Sequence, residues 1–228
     1  MKEKQIKISV STNPPPIDEM LDYVQKVSKT DVDFIHCDVM DGRFVPAKTF
    51  DHKSVEKIDL ITEKPLDVHL MVKNPCCKIK KYAKAGADII TVHFESFRCK
   101  RCLVRCLQKI YKLGVKVGIS FCPTTQVEDI KKYLPYCQHV LVMSVVPGKS
   151  GQKFIEESYD RVKQLKTIIN EMGLDDITIE IDGGVNNTNI AKLSKLGVDM
   201  FVVGNYIYKQ ENLVKAVEEL KKSGSKKN

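Results

Sequence analysis

The chain has 228 residues, 43% of them hydrophobic, and a net charge of +8. This length suits one domain with a large core, and no apolar run approaches the ~18 residues of a membrane-spanning helix. The basic balance does not point to nucleic acid: the lysines are interspersed with acids, and the basic low-complexity run is confined to Lys221-Lys-Ser-Gly-Ser-Lys-Lys-Asn228.

A modest positive field suits an anionic small molecule. The start, Met1-Lys-Glu-Lys-Gln, lacks the apolar segment of a signal peptide, so a cytoplasmic protein with no membrane partner is expected. Its eight cysteines are then expected as free thiols. The domain reading is one catalytic barrel over residues 1–222 and a flexible basic tail over 223–228.

In chain order, the first strand is Lys7–Val10. Ser11-Thr-Asn-Pro-Pro-Pro-Ile17 follows, with the prolines stiffening the loop, and then a helix over Ile17–Ser28. A strand at Asp33–Asp38 leads into Met40-Asp-Gly-Arg-Phe-Val-Pro46. Next come a strand at Leu66–Leu70, a helix at Lys78–Ala85 and a strand at Ile89–His93. A helix at Cys99–Leu113 and a strand at Val115–Ser120 continue the alternation. Strands at His139–Met143, Thr178–Asp182 and Met200–Val203 are separated by helices at Glu156–Glu171 and Asn187–Leu196. Eight strand-then-helix units predict parallel strands in an α/β (β/α)₈ TIM barrel. An open doubly wound sheet is the competing fold, but no Gly-x-Gly-x-x-Gly follows the first strand.

Active sites of such barrels lie at the C-terminal strand ends. With period two, His36, Asp38 and Met40 share one face of the second strand, while Cys37 points the other way. Asp67-Val-His69-Leu-Met71 repeats the pattern, and Glu180-Ile-Asp182-Gly-Gly184 brings a third carboxylate to a strand end. A buried carboxylate needs a cation or a hydrogen-bond network. His36, Asp38, His69 and Asp182 together make a nitrogen and oxygen ligand set for one divalent ion: Zn²⁺, Fe²⁺, Mn²⁺ or Co²⁺. His93 reads as a satisfied core histidine. Asp38 and Asp182, on opposite sides of a substrate, have the chemistry for removing a proton from one face of a carbon and returning one to the other. Met40, Met71 and Met143 fall on the inward parity and would form an apolar, polarizable lid.

Three glycine-bearing loops follow the last strands. They hold Gly148, Lys149, Ser150 and Gly151; Gly183 and Gly184; and Gly204 and Asn205. Their backbone N–H groups can approach a phosphate closely. Cys99, Cys102 and Cys106 have the spacing of one helical face and read as packing residues. The Cys-x-x-Cys within them invites a zinc reading, but no matching second pair follows.

Four of these segments carry a resemblance. Met40–Pro46, Asp67–Met71, Val142–Gly148 with Gly151–Phe154, and Asp182–Gly184 occur in the order seen in ribulose-phosphate 3-epimerases. The likeness runs from about Ile6 to Tyr208. It implies a barrel of the ribulose-phosphate-binding type, a divalent metal on the four ligands, and a homo-oligomer acting on a ketose phosphate. It further implies inversion at C3 of D-ribulose 5-phosphate through an enediolate, with Asp38 as base and Asp182 as acid, exchanged in reverse, in the pentose phosphate pathway. His69 also lies on the substrate side, and Ser11 aligns with the family's substrate-contacting serine, or Ser9 after a slip of the register. The chain departs from the family at Ser11–Pro16, at Gly148-Lys-Ser-Gly151 and at Gly204-Asn205. Those loops leave room for a six-carbon substrate such as D-allulose 6-phosphate. Two readings from other classes are a non-catalytic barrel binding a phosphate ligand and a zinc-dependent nucleic-acid binder using the Cys99 cluster and basic tail. The second lacks interleaved aromatics and a clustered basic face.

Overall fold

The computed structural model describes residues 5–225. Eight parallel strands close on themselves in chain order, so the open doubly wound sheet is excluded. The strands are β1 (Lys7–Ser11), β2 (Phe34–Met40), β3 (Leu66–Met71), β4 (Ala87–His93), β5 (Lys116–Phe121), β6 (His139–Met143), β7 (Thr178–Asp182) and β8 (Met200–Val203). The helices are α1 (Met20–Ser28), α2 (His52–Asp59), α3 (Ile79–Lys84), α4 (Lys100–Lys112), α5 (Val127–Lys131), α6 (Ser158–Glu171), α7 (Ile190–Leu196), α8 (Asn205–Tyr208) and α9 (Leu213–Gly224).

Every expected strand is present, with β1, β2, β3 and β5 running one or two residues further than read. Helix starts move the other way. α1 begins at Met20 because the chain leaves the prolines in a turn, with the Glu19 amide donating to the Pro16 carbonyl at 3.1 Å. α7 begins at Ile190 because Asn186, Thr188 and Asn189 make a local turn of their own. The Asn186 amide donates to Asn189 Oδ1 and the Thr188 amide to Asn186 Oδ1. Helices α2, α5, α8 and α9 are additional to the periodic segments read from the sequence. α2 had a start signal in Asp51, whose carboxylate accepts the amides of Lys53 and Ser54. α9 runs through Gly224, packed beside Ile6, so positions 223 and 224 of the expected tail are helical. Residues 226–228 of it lie outside the described residues.

Alternation divides each strand between two environments. Ile8, Val10, Ile35, Cys37, Val39, Val68, Leu70, Ile90 and Val92 belong to the apolar layer that also takes in helix residues such as Val24, Leu103 and Leu107. Between two packed faces a near-continuous apolar run is expected. This barrel departs from that pattern, because its inward positions are polar: Ser9, His36, Asp38, Asp67, His69, Thr91, His93, Ser120, His139 and Glu180 are all buried. Gly118 sits among them because a Cβ there would lie 2.1 Å from the Thr91 hydroxyl oxygen. A barrel interior this polar must be held by its own pairings, which determine the geometry of the site above it.

Candidate active site

The β2–β3 register places Asp38 opposite His69 and Met40 opposite Met71, while Met143 of β6 lies opposite Asp182 of β7. Ligand atoms of His36, Asp38, His69 and Asp182 all lie within 4.8 Å of one another. His36 Nε2 and His69 Nδ1 are each 3.2 Å from Asp38 Oδ1. The Ser11 hydroxyl donates to Asp38 Oδ2 at 3.0 Å.

Each histidine is oriented from behind. His36 Nδ1 lies 2.5 Å from Asp67 Oδ2. His69 Nε2 lies 2.8 Å from His93 Nε2, and His93 Nδ1 lies 3.1 Å from Glu95 Oε2. Burial, then the neighbouring imidazole of His69, lowers His93 to about 4, so its ring is neutral. Burial opposes ionisation of Glu95, but His93, the Thr125 hydroxyl and the Cys122 amide outweigh it and hold the carboxyl at about 2. The tautomers follow from this network. Ionised Glu95 accepts the His93 Nδ1–H, His93 Nε2 accepts the His69 Nε2–H, and the His69 Nδ1 lone pair faces Asp38. Two acceptors 3.2 Å apart suit two ligands on one cation, not a hydrogen bond.

The charges fit the same reading. Burial lowers the affinity of His36 for a proton, yet Asp67 and Asp38 together raise it well above the ordinary value. Positive charge is thus favoured where these groups meet. Burial also opposes ionisation of Asp38, but the charge and hydrogen bond of His36 hold it far below the usual carboxylate range. Asp182 behaves oppositely: burial, then the Asp38 charge, pushes it up to about 7. The residues present therefore fit a divalent ion, whose charge would offset the repulsion between the two carboxylates.

Above these groups lies a cavity of about 420 Å³. It is lined by Ser11, Asp38, Met40, Met71, Met143 and Asp182, and by all three glycine loops: Gly148, Lys149, Ser150 and Gly151; Gly183 and Gly184; Gly204 and Asn205. His36 and His69 lie beneath the lining, fully buried. The three methionines do not make one cluster. Met40 and Met71 pack with Val45, and Met143 packs with Leu141, Val145 and Val202.

The glycine loops lock onto one another. Gly183 has φ 122°, and a Cβ there would lie 2.5 Å from Val145; at Gly151 it would lie 2.8 Å from the Asn205 amide nitrogen. Ser144 anchors the β7 end by donating its hydroxyl to the carbonyls of Asp182 and Gly183. Arg161 of α6 ties two strand ends, donating to the Met143 and Cys122 carbonyls at 2.7 Å each.

A model described as "Ribulose-phosphate 3 epimerase family" matches residues 7–208. The chain belongs to that family. It is 40% identical over 200 residues to the ribulose-phosphate 3-epimerase of Bacillus subtilis, covering 88% of this chain and 91% of that one. It is 36% identical over 220 residues to the Synechocystis protein of the same name, covering 96% and 95%. The epimerase is thus an isomerase. Among solved structures, it resembles 3-keto-L-gulonate-6-phosphate decarboxylase from Vibrio cholerae, with TM-score 0.70, 14% identity and coverage of 96% and 97%. It also resembles orotidine 5'-phosphate decarboxylase from Pyrococcus horikoshii, with TM-score 0.67, 13% identity and coverage of 95% and 98%. At such identities these two speak for the barrel fold alone. Among the described residues of the epimerase, no helix is long and apolar enough to cross a membrane.

Several groups that shape the site were not singled out in the sequence. Asp67 stands two residues before His69 on the same inward parity. Glu95 stands two after His93, so His93-x-Glu95 echoes His36-x-Asp38, a signal that was available. His93 is indeed a buried, hydrogen-bonded histidine, but it also orients His69. Asn13, Pro14 and Lys153 line the cavity from within segments already marked in the sequence, and Lys209 lines it with no pattern to mark it.

Proposed function

We propose that this epimerase inverts C3 of D-ribulose 5-phosphate to give D-xylulose 5-phosphate, using Asp38 and Asp182 as paired proton carriers. The observation carrying this reading is the convergence of the two carboxylates: Asp38 of β2 and Asp182 of β7 both line the cavity, with ligand atoms that meet those of His36 and His69 within 4.8 Å. Two carboxylates reaching one cavity from different strands supply a proton carrier for each face of a bound carbon. Asp38 removes the C3 proton from one face, and protonated Asp182 delivers a proton to the other. In the reverse direction the roles exchange. Ser11, donating to Asp38 Oδ2, keeps that carboxylate turned toward the reacting carbon.

His36, Asp38, His69 and Asp182 would hold the divalent ion, Zn²⁺, Fe²⁺, Mn²⁺ or Co²⁺. Bound there, it supplies Lewis-acid polarisation of the substrate's carbonyl and hydroxyl oxygens. Met40, Met71 and Met143 exclude water from the enediolate face of the substrate. The backbone of the Gly148–Gly151, Gly183–Gly184 and Gly204–Asn205 loops holds the phosphate, with Lys149, Lys153 and Lys209 adding positive charge nearby.

The test uses purified enzyme in ²H₂O with D-ribulose 5-phosphate and, separately, D-allulose 6-phosphate. Deuterium should appear at C3 of the five-carbon product at a kcat/KM well above that for the six-carbon sugar. Asp38→Asn and Asp182→Asn should each abolish net inversion, with one of them still exchanging the C3 proton from a single face. Near wild-type inversion by either variant would sink the two-carboxylate mechanism, and faster turnover of the six-carbon sugar would reassign the substrate.

A further inference from the structure

Cysteines concentrate at one place outside the catalytic cavity. Cys76 and Cys77, in the turn before α3, and Cys99 and Cys102, at the start of α4, line a separate cavity of about 620 Å³. Cys106 lies one turn further along α4, and the Cys76 thiol donates to the Cys102 carbonyl at 3.6 Å. The expectation that Cys99, Cys102 and Cys106 all pack inward holds for Cys106 alone; Cys99 and Cys102 are exposed. The i, i+3, i+7 spacing misleads because Cys99 is the N-cap residue, with φ −91° and ψ 110°, and lies outside the helical face.

The position of this pair has chemical consequences. Cys99 caps α4 and Cys102 is its third residue, so the two lie one turn apart at the helix start and line the same cavity. The Cys102 amide donates to the Cys99 carbonyl at 3.0 Å, which fixes the turn. Residues three apart in a helical turn have Cα atoms roughly 5–6 Å apart, within the span a disulfide bridges. The Cys102 thiol and the first-turn amides hold Cys99 below its ordinary thiol value, while Cys99 pushes Cys102 up. Cys99, at the N-cap of α4, therefore presents the larger thiolate fraction, and Cys102 one turn on is placed to resolve it. Arg98, Lys100, Arg101 and Arg105 surround the pair in sequence, and Arg43 and Lys73 line the same cavity. Three sulfur atoms do not converge here as they do in a thiolate metal site; the metal-like clusters of the described residues lie elsewhere.

We propose that Cys99 and Cys102 form a reversible dithiol–disulfide pair that exchanges with low-molecular-weight, carboxylate-bearing disulfides. The Cys99 thiolate attacks one sulfur of the disulfide RS–SR. That S–S bond breaks, RS⁻ departs and takes a proton from water, and a mixed disulfide Cys99–S–SR remains. The Cys102 thiol then loses its proton and attacks Cys99 Sγ, expelling the second RS⁻. Two protein thiols are oxidised by two electrons and one small disulfide is reduced to two thiols. The surrounding arginines and lysines attract the acidic disulfide.

Full-length protein, Cys99→Ser and Cys102→Ser are equilibrated with oxidised and reduced glutathione at fixed ratios, then analysed by intact mass and peptide mapping. Both side chains are exposed, so both variants should keep the wild-type circular dichroism. Wild type should lose two hydrogen masses through a Cys99–Cys102 link that reduced glutathione reverses. Cys102→Ser should retain one glutathione on Cys99. Cys99→Ser should form no internal link and react at Cys102 at least about tenfold more slowly than wild type does at Cys99. Modification of Cys99 no faster than that of Cys77 would overturn the proposal, as would a bridge from Cys76 to Cys102 or Cys106 in place of the Cys99–Cys102 link.

Discussion

Glu95→Gln tests how the site is held. Glu95 touches no member of the proposed ligand set; it reaches His69 through His93. Its carboxyl falls from an ordinary 4.5 to about 2 in the folded protein, because His93, Thr125 and the Cys122 amide outweigh burial. A depressed carboxyl stabilises the fold above its unfolded value, and this stabilisation is lost as pH falls through the folded value. A shift of this size is worth about 3 kcal/mol at pH 7, shrinking to about 1 kcal/mol at pH 3. Urea unfolding with chelator present, so that no metal contributes, should therefore show the wild-type advantage over Glu95→Gln closing as pH falls from 4.5 toward 2. The variant should also bind its metal roughly 10–100-fold more weakly, as when a group behind a metal-bound histidine is lost. A stability gap that does not change with pH, or unaltered metal affinity, would refute the account of Glu95 as an ionised anchor for His93 and His69.

Other perturbations separate the parts of the site. Treatment with a chelator should abolish turnover, and Zn²⁺, Fe²⁺, Mn²⁺ or Co²⁺ should restore it; full activity in protein shown to be metal-free by elemental analysis would remove the metal from the mechanism. Ser11→Ala should lower kcat about tenfold or more with KM nearly unchanged, since its hydroxyl addresses Asp38 and not the phosphate loops; a change confined to KM would place Ser11 elsewhere. Gly183→Ala should destabilise the fold by roughly 1–3 kcal/mol, because its φ of 122° and the Val145 side chain oppose any Cβ. Adding Val145→Ala should recover part of that loss in urea unfolding. Cys106→Ala should cost about 1 kcal/mol as a buried truncation, and exposed Cys102→Ala close to nothing.

The barrel was legible in the sequence because short β-branched runs alternate with helical periodicity, and β2, β7 and β8 end in a charge or glycine at Asp41, Asp182 and Gly204. His36, Asp38, His69 and Asp182 were legible because period two assigns a side chain to a face with no knowledge of the partner strand. The residues that orient them were harder to read, since a contact such as His36 with Asp67 depends on the register between β2 and β3. Helices were read by periodicity and so missed where a cap or a short length carries the signal. α2 rests on its Asp51 cap, and α5 is five residues long. Cys99 was misplaced for a related reason: its spacing fits a helical face, but its backbone is extended.

The polar interior follows from the same arrangement. A histidine presents a lone pair at one nitrogen only when its other nitrogen has its proton committed elsewhere. Asp67 accepts that proton from His36, and His93 with Glu95 accepts it from His69. Both commitments must come from below the cavity, where the barrel interior would ordinarily be apolar. Asp67 in turn sits beside Glu180, whose carboxyl is pushed well up by burial and by Asp67, and Glu180 Oε2 lies 2.7 Å from His139 Nε2. Replacing this buried layer with valine and leucine would relieve the desolvation cost, but it would free both imidazoles to turn. The polar layer is therefore the condition under which four side chains from three strands can present their ligand atoms to a single point.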